Sequence, residues 1–529
     1  MDTQTTQTTQ QELQEQGAPV KTPAQLYAEK MQKEREEDRA RRAVYGGKFL
    51  LPFFIYSIIS TFFMYDNFKG ILVPAEVILT LGIIGFVLKA KGMKFKAKTY
   101  PIMAVLLLLG ISSTLTTSTM VFWNHVVSFC LLILLLLETF CDTGLWEFAN
   151  YVKEFFGTLG KCVERMMDVF TDTVAYAKAP NKKQATTKTY IGIGILICIP
   201  ILLIVLGLLA SADAVFNNVL QNILPEEITA EFVIGVVCFF VATYMASYTG
   251  MKYFYERTKD REVKTIEQKE ALIGITILIP ILLVYGIFCG IQIYYLFLGN
   301  GTLPEDYTYA EYAREGFFQL LTVVVINLVM ILLFQWLLKE SKVLKVLMIL
   351  VSVATYVMTA SSAYRMMLYV KSYNFTTTRY AVLWALALIA IFLFGMILKI
   401  CFKKFPLFKF GLYLFCIWFT CLSFSKPDYQ VVKYNFNNSC AEKELDTYYL
   451  RNEISMDAAP LIAEYEKEHD TENVHDWVRE YQMTVDLVDY EYNWDEDYTY
   501  CDEEYVPTKA PSFRKFNFSD YFARKAFGL

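Results

Sequence analysis

The chain has 529 residues, of which 55% are hydrophobic and 19% are charged, and its formal net charge is −5 at pH 7. A soluble globular chain usually carries about 25% charged residues, so this composition argues against a soluble protein and for a membrane protein. It also argues against nucleic acid as a partner, because no basic patch lies outside the short loops between apolar segments.

Residues 1–47 are polar and are predicted to form a cytoplasmic tail. The first 20 residues are rich in Gln and Thr and contain no apolar run, so we expect them to be disordered. Residues 24–43 are highly charged and are predicted to form a helix. Because this long polar stretch precedes the first apolar run, we expect an uncleaved insertion signal rather than a signal peptide.

Eleven apolar runs between residues 48 and 425 predict a bundle of transmembrane helices. A helix needs about 20 apolar residues to cross a bilayer. The runs are continuous rather than alternating, which favours helices over a β-barrel. The fold class is therefore predicted to be all-α, a polytopic transmembrane helix bundle. The predicted spans are residues 49–65, 69–88, 101–117, 120–139, 190–210, 232–250, 271–298, 317–338, 346–368, 380–400 and 408–424.

The charges of the connecting loops predict the orientation of this bundle. Lys and Arg concentrate in every second connection, such as residues 89–98, which contain five lysines. The intervening connections are poor in basic residues, and residues 211–231 contain none. Because basic loops stay in the cytoplasm, the N-terminus is predicted inside and the C-terminus outside, in keeping with an odd number of spans.

Residues 141–189 form a predicted cytoplasmic insert whose apolar residues, among them Phe148, Phe156 and Phe170, recur at helical spacing. One interpretation is an amphipathic segment that lies on the cytoplasmic surface of the membrane. The other is a helical hairpin packed on itself. The sequence does not decide between them.

Residues 426–529 are acidic, with 23 Asp and Glu against 11 Lys and Arg. Apolar residues recur there at helical spacing, which predicts a small, mainly helical extracytoplasmic domain. Its acidity suits binding of a basic partner or of cations, although a solvated acidic face is the commoner meaning. Cys440 and Cys501 lie in this region, and two cysteines by themselves do not establish a disulfide.

Two apolar segments resemble each other and suggest an internal repeat. The stretch from Gly194 to Leu203 matches the stretch from Gly274 to Leu283, and each contains a proline at the same place. Residues 190–250 and 271–338 would then form a parallel two-helix repeat. Repeats of this kind are common in transporters.

Polar residues inside predicted spans are default candidates for function, because charge and polarity are costly in lipid. Glu76 lies about a third of the way along the second predicted span, and Asn327 lies near the centre of the eighth. A snorkelling or hydrogen-bonded carboxyl is an equally good interpretation of Glu76.

A second candidate is a polar cluster at the outer face. Glu311, Arg314 and Glu315 would share one helix face before the eighth span, since residues three and four apart are neighbours. Arg365 and Arg379 lie at the outer ends of the next two spans. We expect one of these arginines to pair with Glu311 or Glu315, either as an inter-helix clamp or as a small polar site.

Several short motifs follow one another in a characteristic order, and through them the chain resembles a bacterial multi-pass membrane protein family known only as a domain of unknown function. The resemblance covers roughly residues 190–529. It implies a bacterial plasma-membrane protein and brings no established activity. The motifs are Ser211–Phe216, Tyr309–Phe318, Tyr364–Tyr369, Thr378–Tyr380, Tyr434–Phe436, Asp457–Pro460, Phe516–Ser519 and Ala523–Ala526.

Three classes of function remain open. The first is a sensory, regulatory or envelope-interaction protein that meets an envelope protein or small ligand at its outer face. The second is a solute transporter built on the repeat. The third, a membrane enzyme, is disfavoured because no nucleophile, metal or phosphate motif is present. We expect no enzymatic activity, no cofactor and no metal site, with the lipid bilayer as the principal partner.

Overall fold

The computed structural model describes residues 22–144, 146, 148–178, 205, 209, 212, 230–257, 268–294, 309–438, 445–469 and 513–527. Within these residues the regular structure is helical, apart from a single bridge pair between Lys269 and Leu338. The helices are α1 Pro23–Met64, α2 Val73–Lys91, α3 Tyr100–Leu115, α4 Met120–Phe140, α5 Phe148–Glu164, α6 Asp168–Ala177, α7 Ala230–Glu256, α8 Ala271–Gln292, α9 Tyr309–Leu337, α10 Lys342–Ser372, α11 Thr377–Cys401, α12 Leu407–Phe424, α13 Pro427–Asn437, α14 Thr447–Asn452, α15 Ala459–His469 and α16 Phe518–Phe527.

Ten of these helices are long and apolar enough to cross a membrane, namely α1 to α4 and α7 to α12. They correspond to ten of the eleven predicted spans. The remaining predicted span, 190–210, lies almost wholly outside the described residues. The first half of the predicted repeat, 190–250, is therefore described mainly over residues 230–250, within α7. The all-α prediction is confirmed for the described part of the chain.

Helix α1 is longer than the sequence predicted, because it joins the charged segment and the first span into one helix of 42 residues. Thr22 caps its start: the Thr22 hydroxyl accepts from the Gln25 backbone N–H, and the Gln25 side chain accepts from the Thr22 N–H. This reciprocal capping box satisfies two backbone donors that a helix start leaves unpaired. The helix continues through Pro52.

The described helices divide into two compact units. The first contains α1, α6, α7, the end of α2 from Ile83 and the end of α5 from Gly157. Its core is aromatic: the rings of Tyr45 and Phe53 on α1 lie 5.3 and 6.0 Å from the ring of Tyr248 on α7. Such edge-on ring pairs add to the gain from burial.

The second unit contains α3, α4, α8 to α16 and the beginnings of α2 and α5. One apolar core of this unit joins α8, α9, α10, α11 and α12 through buried aliphatic residues such as Leu278, Ile331, Val351 and Leu393. The described C-terminal helices belong to this same unit. Val431 and Val432 on α13 are fully buried in a smaller cluster with Val370 of α10.

Candidate functional site

Three segments that are distant in sequence meet at one buried carboxyl group. Asp457 lies just before α15 and is 4% exposed. It accepts hydrogen bonds from the Thr116 hydroxyl, from the Thr117 backbone N–H at 3.1 Å and from the Ser519 hydroxyl. Thr116 and Thr117 belong to the turn between α3 and α4, and Ser519 belongs to α16. The carboxyl group therefore fastens the C-terminal segments to that turn.

The environment of Asp457 changes its acidity. Burial raises the pKa of this carboxyl above its ordinary value. The hydrogen bonds from Ser519, Thr116 and Thr117, and the charge of Lys426, act in the opposite direction without cancelling it. Removing a carboxylate from water disfavours the charged form, which is the physical cause of the shift.

Asn517 strengthens the same connection. Its side-chain amide group donates to the Lys69 carbonyl at 2.7 Å and to the Thr116 carbonyl at 3.1 Å. Its side-chain oxygen accepts from the Ser519 N–H at 2.8 Å, so Asn517 also caps the start of α16. We call Thr116, Thr117, Asp457, Asn517 and Ser519 the C-terminal junction.

A chain of polar side chains continues from this junction between three candidate spans. Asn517 lies 3.3 Å from the Ser113 carbonyl, and the Ser113 hydroxyl accepts from the Asn124 amide at 3.2 Å. The Ser423 hydroxyl donates to the Asn124 side-chain oxygen at 2.8 Å and lies 2.6 Å from the Ser112 hydroxyl. These four residues, the serine–asparagine chain, are buried and connect α3, α4 and α12.

A second connection holds α13 against the loop before α11. Asn435 donates to the Phe375 carbonyl at 2.9 Å and accepts from the Phe375 N–H at 2.8 Å, as a backbone partner would. Asp428 accepts from the Thr377 hydroxyl and from the Ser455 N–H. Both side chains are 3% exposed, so these contacts satisfy polar groups that would otherwise be costly to bury.

A cavity of about 640 Å³ opens beside Asp457. Lys426 and Lys525 give its wall positive charge, and Tyr429, Pro460 and Phe522 give it apolar surface. Lys426 has a φ of 51°, a left-handed conformation that non-glycine residues adopt at a cost of about 1–2 kcal/mol. The lining of the cavity thus combines two lysines and the Asp457 carboxyl with apolar side chains.

Glu76, a residue predicted inside a span, lies in the first turn of α2 because that helix begins at Val73. Its position is therefore nearer the helix end than the sequence predicted. The Thr80 hydroxyl donates to the Glu76 carboxyl at 3.3 Å. A negative charge at a helix start is favourable, because it interacts with the unpaired backbone N–H groups there.

Asn327 is fully buried and hydrogen-bonded between three helices. It accepts from the Tyr285 hydroxyl at 2.7 Å and donates to the Thr355 hydroxyl oxygen at 3.0 Å. Ser361 on α10 donates to the Gln292 side-chain oxygen of α8 at 2.7 Å. We call this group, together with Arg365, the central polar seam.

The two candidate arginines occupy different surroundings. Arg365 is 7% exposed and lies 3.4 Å from the Gln292 side-chain oxygen, in space that Gly316 leaves open. Arg379 donates to the Asn374 carbonyl and lies 4.1 Å from the centre of the Tyr369 ring, a cation–π contact.

The predicted pairing of these arginines with carboxylates is not tested by the structure. Glu311, Arg314 and Glu315 lie on the first turns of α9, which confirms that this segment is helical. Their side chains lie outside the described residues. The pairing of Arg365 or Arg379 with Glu311 or Glu315 stays a prediction.

The residues of the C-terminal junction were visible in the sequence as motifs, yet their role was not. Asp457, Asn517 and Ser519 occur in two of the motifs that carry the family resemblance. Their partners, Thr116 and Thr117, were placed by the sequence only at the end of the third predicted span, 101–117. The chemistry of the junction is hydrogen bonding, in which two hydroxyl groups and one backbone N–H donate to the Asp457 carboxyl. In the described part of the chain, no group of three His, Cys, Asp or Glu side chains is placed to hold a metal ion.

The fold defines the class first: over the described residues the chain is helical, and ten long apolar helices there are compatible with an integral membrane protein. The chain belongs to the family described as domain of unknown function DUF4153, whose model matches residues 102–465. The match begins earlier than the resemblance in the sequence indicated and ends before the Phe516–Ser519 motif. No curated protein and no solved structure matches the chain.

Proposed function

We propose that this chain is a sensory or regulatory protein of the bacterial plasma membrane, without enzymatic activity, that responds to a small ligand or envelope partner at its extracytoplasmic face. The C-terminal junction supports this proposal best. It joins the C-terminal helices to the turn between two candidate spans through a buried carboxyl group and a buried amide. A signal needs such a physical connection between a receiving surface and the spans.

The serine–asparagine chain extends that connection to α3, α4 and α12. Hydrogen bonds run from Asn517 through Ser113 and Asn124 to Ser423, so a displacement of α16 acts on three helices at once. Buried polar networks respond as a unit, since a partly satisfied network is unfavourable. The cavity beside Asp457 is the surface we assign to the ligand or partner.

The proposal is tested by releasing α16 in the full-length protein. Asn517→Ala removes the cap of α16 and the contacts to the Lys69 and Thr116 carbonyls. In lipid nanodiscs, hydrogen exchange followed by mass spectrometry should show faster exchange at residues 513–527 and also at the facing ends of α3, α4 and α12. Lys515→Ala, which removes only an exposed ion pair with Asp66, is the control.

Faster exchange confined to residues 513–527 would contradict the proposed connection, because α3, α4 and α12 would then not respond to release of the C-terminal segment. Purified protein that moves a solute across reconstituted vesicles would also contradict it. If Asn327→Leu then abolished that solute movement, the result would favour a transporter.

That alternative is a solute transporter, and the central polar seam favours it. Asn327, Gln292 and Arg365 are polar groups buried among helices that are compatible with membrane spans. Polar groups in such positions often mark a substrate path. Of the parallel repeat that also suggested transport, the second half is described as α8 and α9, and residues 230–250 of the first half are described within α7.

A further inference from the structure

Helix α6 packs closely on α1 within the first of the two compact units, which we call the N-terminal unit. Gly46 and Gly47 of α1 make room for it: a Cβ atom at Gly47 would lie 2.7 Å from Cε2 of Tyr176. Val169 and Asp172 are buried on this inner face of α6. The close approach of two helices at small residues fixes α6 in place beside α1.

A buried charge cluster holds the same inner face against α7. Lys252 is 2% exposed, and its Nζ lies 2.7 Å from Asp172 and 2.9 Å from Asp168. The Tyr248 hydroxyl donates to Asp172 at 2.8 Å. A buried lysine with two carboxylates is strongly disfavoured if either partner leaves, so the cluster sets the position of α6 on α7.

The opposite face of α6 is apolar and exposed. Phe170 and Val174 lie one turn apart, and Met167 precedes them by one further turn. They are 56%, 51% and 65% exposed, respectively. Val163, near the end of α5, is a further exposed apolar side chain close to this stripe in the sequence. Large apolar side chains aligned on one helix face mark a surface that an apolar partner covers.

The place where α6 docks identifies that partner. On α1 it packs beside Gly46 and Gly47, immediately before the apolar run that begins at Phe49. On α7 it is held by Lys252, close to the end of a candidate span. Both neighbours therefore change from apolar to charged sequence at the level of α6. This level is where a bilayer passes from acyl chains to headgroups.

Basic residues flank the apolar stripe. Lys161 and Arg165 precede α6 and pair with Glu164 and Glu256, and Lys178 follows it. Lys and Arg beside an apolar helix face favour a membrane surface that carries anionic phospholipids. The exposed stripe, with Lys178 beside it, is thus complementary to one kind of partner, the interfacial layer of an anionic bilayer.

We propose that Val163, Met167, Phe170 and Val174 form an interfacial anchor that inserts into the headgroup layer of an anionic phospholipid bilayer. This proposal adopts the first interpretation of residues 141–189, an amphipathic segment on the membrane surface. Helix α6 packs on α1 and α7 and turns its apolar stripe to lipid. The anchor does not depend on the proposed sensory function, since it concerns the N-terminal unit alone.

The experiment uses full-length protein in nanodiscs of phosphatidylcholine and phosphatidylglycerol, which leave both membrane faces open to reagents. Phe170→Cys and Val174→Cys are compared with Glu164→Cys, an exposed polar position close by. A water-soluble maleimide is followed by peptide mass spectrometry, which separates each new cysteine from the native ones. The anchor predicts that positions 170 and 174 react about tenfold more slowly than position 164, because lipid burial suppresses the thiolate.

Trp substitutions provide an independent readout. Phe170→Trp should show stronger fluorescence quenching by brominated phospholipids than Glu164→Trp, each after subtraction of the parent protein's signal. Equal maleimide reactivity at positions 164, 170 and 174, or equal quenching at positions 164 and 170, would overturn the anchor. Gel filtration of each variant shows that it has kept its fold.

Discussion

In the described residues, single buried side chains join segments that are far apart in the chain. Asp457 and Asn517 each satisfy donors or acceptors from distant segments, and Asn327 does the same between three candidate spans. In each case a short polar side chain supplies the hydrogen bonds that polar groups of other segments would otherwise make to backbone or water. Buried polar groups are retained only where they are hydrogen-bonded, so these residues specify which segments meet.

Asp457→Ala should destabilise the protein by about 1–3 kcal/mol, because it leaves Thr116, Thr117 and Ser519 without their shared acceptor. Chemical unfolding of the reconstituted protein measures the change. Lys515→Ala, which breaks an exposed ion pair in the same unit, should cost about 0–1 kcal/mol. Equal effects of the two substitutions would show that the junction contributes no more than a surface contact.

The pH dependence of the junction follows from the raised pKa of Asp457. The folded state keeps its proton at pH values where the unfolded state has lost it. Stability conferred by this group is therefore fully present below the ordinary pKa of an aspartate, about 3.9, and is lost as pH rises through the raised pKa. Comparing wild type with Asp457→Asn across this range isolates the contribution. If the wild type instead gains stability relative to Asp457→Asn as pH rises through this range, the assignment is wrong.

Between two neighbouring helices, a glycine on each helix faces a phenylalanine ring on the other. In the hairpin of α11 and α12, a Cβ at Gly395 would overlap the ring of Phe410, and a Cβ at Gly411 would lie 2.7 Å from Cε2 of Phe392. Each helix thus offers a flat site to a ring of the other. Small residues allow the close backbone approach on which helix packing in membranes depends.

Gly395→Ala should destabilise this hairpin by about 1–3 kcal/mol, since the added methyl group overpacks a filled site. The matched control is Gly286→Ala on α8, where a Cβ meets no atom within 4 Å. That control should be neutral or stabilising by up to about 1 kcal/mol through helix propensity. Thermal unfolding in detergent compares the two, and a neutral Gly395→Ala would show that the Phe410 ring can move aside freely.

The elements themselves were largely predictable from the sequence, because the spans are long apolar runs and periodicity is the strongest local signal. The contacts among C-terminal segments were not. Asp457, Asn517 and Thr116 lie far apart in the chain, and no local pattern tells which turn a buried carboxyl will reach. Likewise, the sequence showed that residues 141–189 were amphipathic, while only the packing of α6 on Gly47 and Lys252 identified its free face.

For the whole molecule, the number of spans decides which sides the two ends occupy. The described residues contain ten helices compatible with spans, and the predicted eleventh, 190–210, lies almost wholly outside them. Eleven spans place the N-terminus and the C-terminal junction on opposite sides of the membrane. Ten place them on the same side. The proposed sensing of an extracytoplasmic ligand requires the former arrangement.

The most direct test is the sidedness of two exposed positions in intact bacterial cells, Glu164 near the end of α5 and Tyr448 on α14. Each is replaced by cysteine in the full-length chain and treated with a membrane-impermeant maleimide, with peptide mass spectrometry as the readout. We predict that Tyr448→Cys is labelled in intact cells, whereas Glu164→Cys is labelled only after the membrane is opened. If both positions react only in opened cells, the C-terminal junction is cytoplasmic and the extracytoplasmic sensing proposal is wrong.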